Sequence, residues 1–180
     1  MLSDEIGFCP RCGVAAVDRE AYGRVRRVCP GCGYVHFRAT SSAAVAVVVH
    51  AGRVLLIQRA IQPYRGAWGF PGGFQEHGES LEETAARETF EETGLRIEVE
   101  RVLHVAHTRD DPRKIVNAVS FLARPLESPG RAIAADLRAA DDADDARFFE
   151  LAQLPNEIAF ESSRAVLDAL RRAFPDGDTR

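Results

Sequence analysis

The sequence predicts a mixed α/β domain over residues 39–180, preceded by a small cysteine-bearing module over residues 1–38. Three observations carry that expectation. Strand-length runs of Val, Ile and Leu recur through the middle of the chain, and two segments, residues 80–94 and 161–174, carry helix signals. All four cysteines fall within the first 32 residues. A chain of 180 residues has room for one ordinary domain with an appendage and can bury a core without disulfide staples.

The module comes first. Cys9-Pro-Arg-Cys12-Gly and Cys29-Pro-Gly-Cys32-Gly are two C-x2-C knuckles with sixteen residues between them. The glycine after each pair permits the tight turn that lets thiolates converge, and the spacing is that of a structural Zn²⁺ site with four thiolates at the corners of a tetrahedron. Disulfide pairing suits a secreted chain, and Met-Leu-Ser-Asp-Glu-Ile lacks the basic and apolar regions of a secretory signal. A redox dithiol is a single C-x-x-C before a helix, not a doubled knuckle. Four protein ligands leave no open position for substrate, so the zinc is structural and His36 is surplus. Residues 1–38 have too few apolar side chains for a core, so metal must supply much of their stability.

Past the polar junction Ala39-Thr40-Ser41-Ser42, residues 43–50 and 54–58 read as strands joined by the turn Ala51-Gly52-Arg53. Residues 61–79 read as a long Gly/Pro-containing functional loop. After the first helix, residues 97–106 and 115–123 read as strands around the turn-prone Asp110-Asp111-Pro112. Residues 128–145, rich in Ala and Asp, read as a mobile loop, and 147–150 as a short strand. Residues 161–174 show helical periodicity with Val166, Leu167 and Leu170 inward. Strands around two helices make a mixed α/β domain.

The first helix holds the chemistry. Ser80 with Glu83 three residues on is a capping-box pattern, and Gly94 stands where a left-handed stop is expected. Between them Glu88, Glu91 and Glu92 lie at i, i+3 and i+4, on one stripe. Ala85, Ala86, Thr89, Phe90 and Thr93 form a less polar arc suited to packing on a sheet. Arg87 stands beside the stripe and can pair with Glu79, holding the preceding loop to the helix. An acidic run is most often a solvated face. This one follows the rigid turn Phe70-Pro71-Gly72-Gly73, and clustered carboxylates repel one another unless a divalent cation joins them.

The full spacing resembles the Nudix box, G-x5-E-x7-R-E-U-x-E-E-x-G-U, where U is a bulky aliphatic residue. Gly73, Glu79, Arg87, Glu88, Glu91, Glu92 and Gly94 match the seven fixed identities, Leu95 fits the last U, and Thr89 departs from the first. The approach Trp68-Gly-Phe-Pro-Gly-Gly is similar too. The resemblance implies an α/β/α sandwich with a mixed sheet over residues 40–174, behind a zinc ribbon. It also implies Mg²⁺- or Mn²⁺-dependent hydrolysis of a nucleoside diphosphate linked to a second moiety. Glu88 and Glu92 would be the main metal ligands, Glu91 a ligand or base, and the Gly72 carbonyl a further ligand. Gly73, Glu79, Arg87 and Gly94 would be structural. The general base is a box glutamate or a downstream carboxylate, with Asp142, Asp144 and Asp145 as candidates.

A four-cysteine module before such a domain resembles enzymes acting on ADP-ribose, NADH or FAD. The run S-Q-P-W-P-F-P-x-S of NADH-selective members is absent from residues 101–114, which lowers the case for NADH and for removal of NAD-type RNA caps; Pro112 lies seventeen residues past the box, near where ADP-ribose hydrolases often carry a proline. Arg59, Arg65 and Arg113 are candidates for phosphate or ribose, and Trp68 for stacking on a base. The competing class is a nucleotide-sensing or nucleic-acid-binding regulator that uses the ribbon. Arg24, Arg26 and Arg27 are its only support, without interleaved aromatics, and a net charge of −4 argues against a nucleic-acid partner. Apolar runs are too short to span a membrane, so a membrane is excluded as partner and a cytoplasmic location is expected. A homodimer is compatible with the sequence.

Overall fold

A computed structural model of the chain describes residues 6–109, 115–126, 133 and 137–174. Its contacts divide the chain into two compact units, Met1–Thr40 and Ser41–Arg180.

In the first unit β1 (Val17–Ala21) and β2 (Arg24–Val28) form an antiparallel hairpin across Tyr22-Gly23, both at positive φ. The sequence reading assigned no strands here. The two knuckles repeat one turn: Gly13 N–H donates to the Cys9 carbonyl at 2.9 Å and Gly33 N–H to the Cys29 carbonyl at 3.0 Å. Both glycines take left-handed backbone (φ 75° and 74°), which they adopt without steric cost.

The second unit is a seven-stranded sheet: β3 (Ser41–His50), β4 (Arg53–Arg59), β5 (Trp68–Gly69), β6 (Gly72–Phe74), β7 (Ile97–Thr108), β8 (Val116–Pro125) and β9 (Ala143–Glu150). The main order is β5-β4-β3-β8-β7, with β6 beside the first half of β3 and β9 beside β4. β3 and β8 run parallel and the other pairs antiparallel, so the sheet is mixed as expected. Alternate residues of β3 face opposite layers. Ala44, Ala46 and Val48 join a core with Ala85 of α1 (Leu81–Thr93) and Phe121 of β8. Val47 and Val49 join one with Val166, Leu167 and Leu170 of α2 (Glu161–Ala173). One helix on each face gives the α/β/α sandwich.

Three expectations are corrected. The 61–79 stretch is not all loop, because β5 and β6 are two- and three-residue strands too short to show periodicity. The last strand starts at Ala143, not residue 147, so Asp144 and Asp145 belong to β9; Asp145 pairs in register with Gln58. Phe90 does not pack on the sheet: it is 46% exposed with the Arg96 guanidinium 5.0 Å above its ring. The turn expected at Asp110-Asp111-Pro112 lies outside the described residues.

Candidate active site

Both ends of α1 are built as their residues require. Ser80 Oγ accepts from Glu83 N–H, and Glu83 Oε2 accepts from Ser80 N–H at 2.7 Å, a reciprocal capping box. Gly94, at φ 72°, donates its N–H to the Phe90 carbonyl. Thr89, the departure from the aliphatic box position, is fully buried and donates its hydroxyl to the Ala85 carbonyl at 2.7 Å, so the polar atom is satisfied inside the helix.

Two adjacent glycines set β6 against its neighbours. A Cβ on Gly72 would fall 2.3 Å from the Ala44 carbonyl oxygen, so that glycine lets β6 lie close on β3. A Cβ on Gly73 would fall 2.4 Å from Glu88 Cδ, so the second glycine leaves the space that the Glu88 carboxylate fills. Gly72 N–H donates to Glu92 Oε2 at 2.9 Å.

Arg87 ties the site together. Its Nε donates to Glu79 Oε1 at 2.7 Å, and Nη2 donates to Glu79 Oε2 and to the Phe74 carbonyl. Nη1 reaches Glu88 Oε1 at 2.8 Å and Glu91 Oε2 at 2.9 Å. The expected Glu79–Arg87 pair is present, and the guanidinium also offsets two carboxylates of the stripe. Arg87 hydrogen bonds hold the Glu79 carboxyl below its usual range, and the same bonds raise Arg87.

Within the stripe burial rises from exposed Glu91 through half-buried Glu88 to buried Glu92. Burial is the main cause that raises Glu88, and burial pushes Glu92 up to about 8, with Glu88 and Asp142 adding to it. Each carboxylate keeps one oxygen that makes no hydrogen bond among the described residues: Oε2 of Glu88, Oε1 of Glu91 and Oε1 of Glu92. Hard oxygen donors on one helix face, each carboxylate with an oxygen left open, suit Mg²⁺ or Mn²⁺.

Two further charges close in. The 137–142 segment is pinned to the end of α1, where Arg138 and Ala140 N–H groups donate to the Thr93 and Glu92 carbonyls. Asp141 (φ 52°) and Asp142 are thereby brought into electrostatic reach of Glu88 and Glu92. Asp141 was missed by the sequence reading; its one signal is that Asp tolerates the left-handed turn better than most residues. Asp144 and Asp145 lie on β9, where Asp144 is exposed and Asp145 pairs with Arg147. On the other side, Arg59 donates Nε to the Pro63 carbonyl at 2.9 Å and lies 4.8 Å from the Phe160 ring. Burial lowers its pKa while Glu92 and Asp142 oppose that. Phe160, also missed, has no local signal: it reaches Arg59 because residues 158–159 dock on Trp68.

Trp68 is half-buried, with Phe149 edge-on at 4.8 Å and Arg147 at 5.8 Å. Arg65 is exposed, and Arg113 lies outside the described residues.

The four cysteines converge. Cys9 and Cys32 Sγ are 3.6 Å apart, Cys12 and Cys29 Sγ 3.4 Å, and all four ligand atoms lie within 4.8 Å of one another. Thiolates on a tetrahedral zinc at about 2.3 Å stand about 3.8 Å apart, so the cluster fits such an ion.

A mixed sheet lies between two helices, and the capped helix presents carboxylates beside a glycine turn. The chain belongs to the Nudix family: the NUDIX domain profile matches residues 40–170. It is 38% identical over 126 residues to an ADP-ribose pyrophosphatase of Methanocaldococcus jannaschii, covering 69% of this chain and 70% of that protein. It is 32% identical over 171 residues to the NAD-capped RNA hydrolase NudC of Chromobacterium violaceum, covering 91% of this chain but 59% of the relative. The crystal structure of a NUDIX hydrolase from Nitrosomonas europaea superposes with a TM-score of 0.80 at 30% identity, covering 93% of each chain.

Proposed function

We propose that the chain hydrolyses the diphosphate linkage of a nucleoside diphosphate joined to a second moiety, with ADP-ribose and related dinucleotides as substrates. The observation that carries this reading is the set of three carboxylate oxygens left open on one face of α1 beside Gly72-Gly73. Glu88, Glu91, Glu92 and the Gly72 carbonyl would hold Mg²⁺ or Mn²⁺. A bound ion of this kind neutralises diphosphate oxygens and lowers the pKa of a bound water.

The chain's own groups do the rest. Gly72 N–H keeps Glu92 aimed at the site, and Arg87 fixes Glu88 and Glu91 while bracing the loop through Glu79. Arg59 presents a desolvated guanidinium to the phosphates, with Arg65, Trp68 and Arg113 as further substrate contacts. Water oxygen bonds to phosphorus as the bridging P–O bond breaks, giving a nucleoside monophosphate and the phosphorylated second moiety. The proton from water passes to a carboxylate, with Glu91 and the Asp141-Asp142 turn as the candidates. We assign the four thiolates to a structural zinc ribbon. The archaeal relative's name, ADP-ribose pyrophosphatase, and the absence of the NADH-selective run favour ADP-ribose.

The test is turnover of ADP-ribose, FAD, NADH, dinucleoside polyphosphates and nucleoside triphosphates with Mg²⁺ or Mn²⁺. ADP-ribose should give the highest kcat/KM, and Glu92→Gln should lower it by about a hundredfold or more. Full metal-dependent turnover by that variant would sink the assignment of the site. A nucleotide sensor would bind ADP-ribose without consuming it.

A further inference from the structure

The β1–β2 hairpin sorts its charges by face. Cross-strand partners share a face, which places Arg19, Arg26 and Arg24 on one side with Val17, Ala21 and Val28. Asp18, Glu20, Val25 and Arg27 lie on the other, where Arg27 is already paired with Asp18 at 3.4 Å. Arg19 sits directly opposite Arg26, an arrangement of like charges that costs stability in a hairpin. Neither Arg19 nor Arg24 has a carboxylate partner among the described residues, and both are exposed.

The same face carries aromatic rings that the local sequence does not reveal. Phe37 lies under the Arg26 guanidinium at 5.0 Å, and Tyr22 lies against Phe37 with ring centroids 5.5 Å apart. Arg26 is held in place by donating Nη1 to the Ala21 and Tyr22 carbonyls. Tyr22 is 78% and Phe37 56% exposed, large values for rings in a module with hardly any core of its own. In the sequence, Arg24–Arg27 is a short cluster without interleaved aromatics in a chain of net charge −4, and these three features argue against nucleic acid. The fold supplies Phe37 from ten residues further on.

We propose that this face binds a single-stranded nucleic acid, with Arg19 and Arg24 on successive phosphates and Tyr22 and Phe37 stacking on bases. The ligand must be anionic, to offset guanidinium groups that have no carboxylate partner among the described residues, and must present flat apolar faces, to cover paired rings. An acidic peptide or a phospholipid headgroup meets only the first requirement. A duplex buries its base faces and cannot use Tyr22 or Phe37.

The test uses the full chain with zinc bound and fluorescence anisotropy of labelled oligo-rU and oligo-dT of about twelve nucleotides, beside a duplex of equal length. Single strands should bind at about 50 mM salt and weaken as salt rises; the two sugars tell RNA from DNA. Arg19→Gln with Arg24→Gln should weaken binding about tenfold and reduce the salt slope by about 1.4. Tyr22→Ala should weaken it about tenfold with the slope unchanged. ADP-ribose turnover and zinc content should not move in these variants. No binding at low salt, equal binding of the duplex, or variants that bind like the parent would each overturn the proposal. Oligonucleotide binding by a chain that turns over no dinucleotide would sink the proposed hydrolysis and leave this inference standing.

Discussion

Gly72 and Gly73 are neighbours whose loss should be felt in different measurements. Alanine at Gly72 would drive a methyl into the β3 backbone, 2.3 Å from the Ala44 carbonyl oxygen and 2.8 Å from Val45 Cα, at a φ of 153°. Backbone cannot step aside, so Gly72→Ala should destabilise the fold by about 3 kcal/mol or more, read by denaturant unfolding. Alanine at Gly73 meets only the end of the Glu88 side chain, at 2.4 Å. It can rotate away, so Gly73→Ala should fold and lose turnover because the Glu88 carboxylate, proposed above as a metal ligand, is displaced. Equal loss of stability in both variants would count against the Glu88 cradle. Glu92 adds a pH effect. Its pKa is raised by burial from 4.5 to about 8, so the folded chain holds that proton more tightly than the unfolded chain. Without added Mg²⁺ or Mn²⁺, this contribution is complete below about pH 4.5 and is lost as pH rises through about 8. Glu92→Gln lacks the titration and can still accept from Gly72 N–H through its amide oxygen. Its melting temperature should therefore gain on the parent between about pH 5 and about pH 9. A constant difference across that range would contradict the buried carboxylate.

At the scale of elements, α1 separates stability from chemistry. Ser80→Ala removes one cap bond and should cost about 1 kcal/mol, with turnover nearly intact at temperatures well below melting. Arg87→Lys keeps the charge but cannot reach Glu79, Glu88, Glu91 and the Phe74 carbonyl together, since an ammonium lacks the planar fork. It should lose about 1–3 kcal/mol and also most turnover. If both variants lost turnover in proportion to stability, Arg87 would be only a helix brace. The contrast also marks what was legible in the sequence. Ser80, Glu83, Gly94 and the Glu79–Arg87 pair sit within one helix and its lead-in, where spacing alone decides who meets whom. Phe90 was placed on the packed arc because periodicity gives a direction but not the width of the sheet beneath. Asp141, Phe160 and the start of β9 depend on which strand pairs with β4 and on residues 158–159 docking on Trp68, contacts nearly a hundred residues apart in the chain. No local pattern encodes those.

The whole molecule is two units with different sources of stability. In Ser41–Arg180 the sheet is covered on both faces by buried Val, Leu, Ile, Ala and Phe side chains, enough for a core that stands by hydrophobic burial. In Met1–Thr40 the buried apolar positions among the described residues are Cys9, Ala16, Val28 and Cys29, and two of those four are the clustered thiols. Ala16 and Val28 alone cannot offset the entropy of ordering two knuckles and a hairpin. A metal held by Cys9, Cys12, Cys29 and Cys32, as proposed, would close both knuckles at once, and its binding free energy would be folding free energy for this unit. Removal of that metal by a thiol-competing chelator should therefore release one Zn²⁺ per chain and leave the hairpin amides of residues 17–28 exchanging freely with solvent. Amides of β3 and β4 should keep their protection, because their bonds lie inside the other core. Hydrogen exchange with and without chelator reads both at once. Protection of residues 17–28 that survives complete loss of metal would show that the hairpin stands without it, and the four thiols would then need a role other than a structural centre.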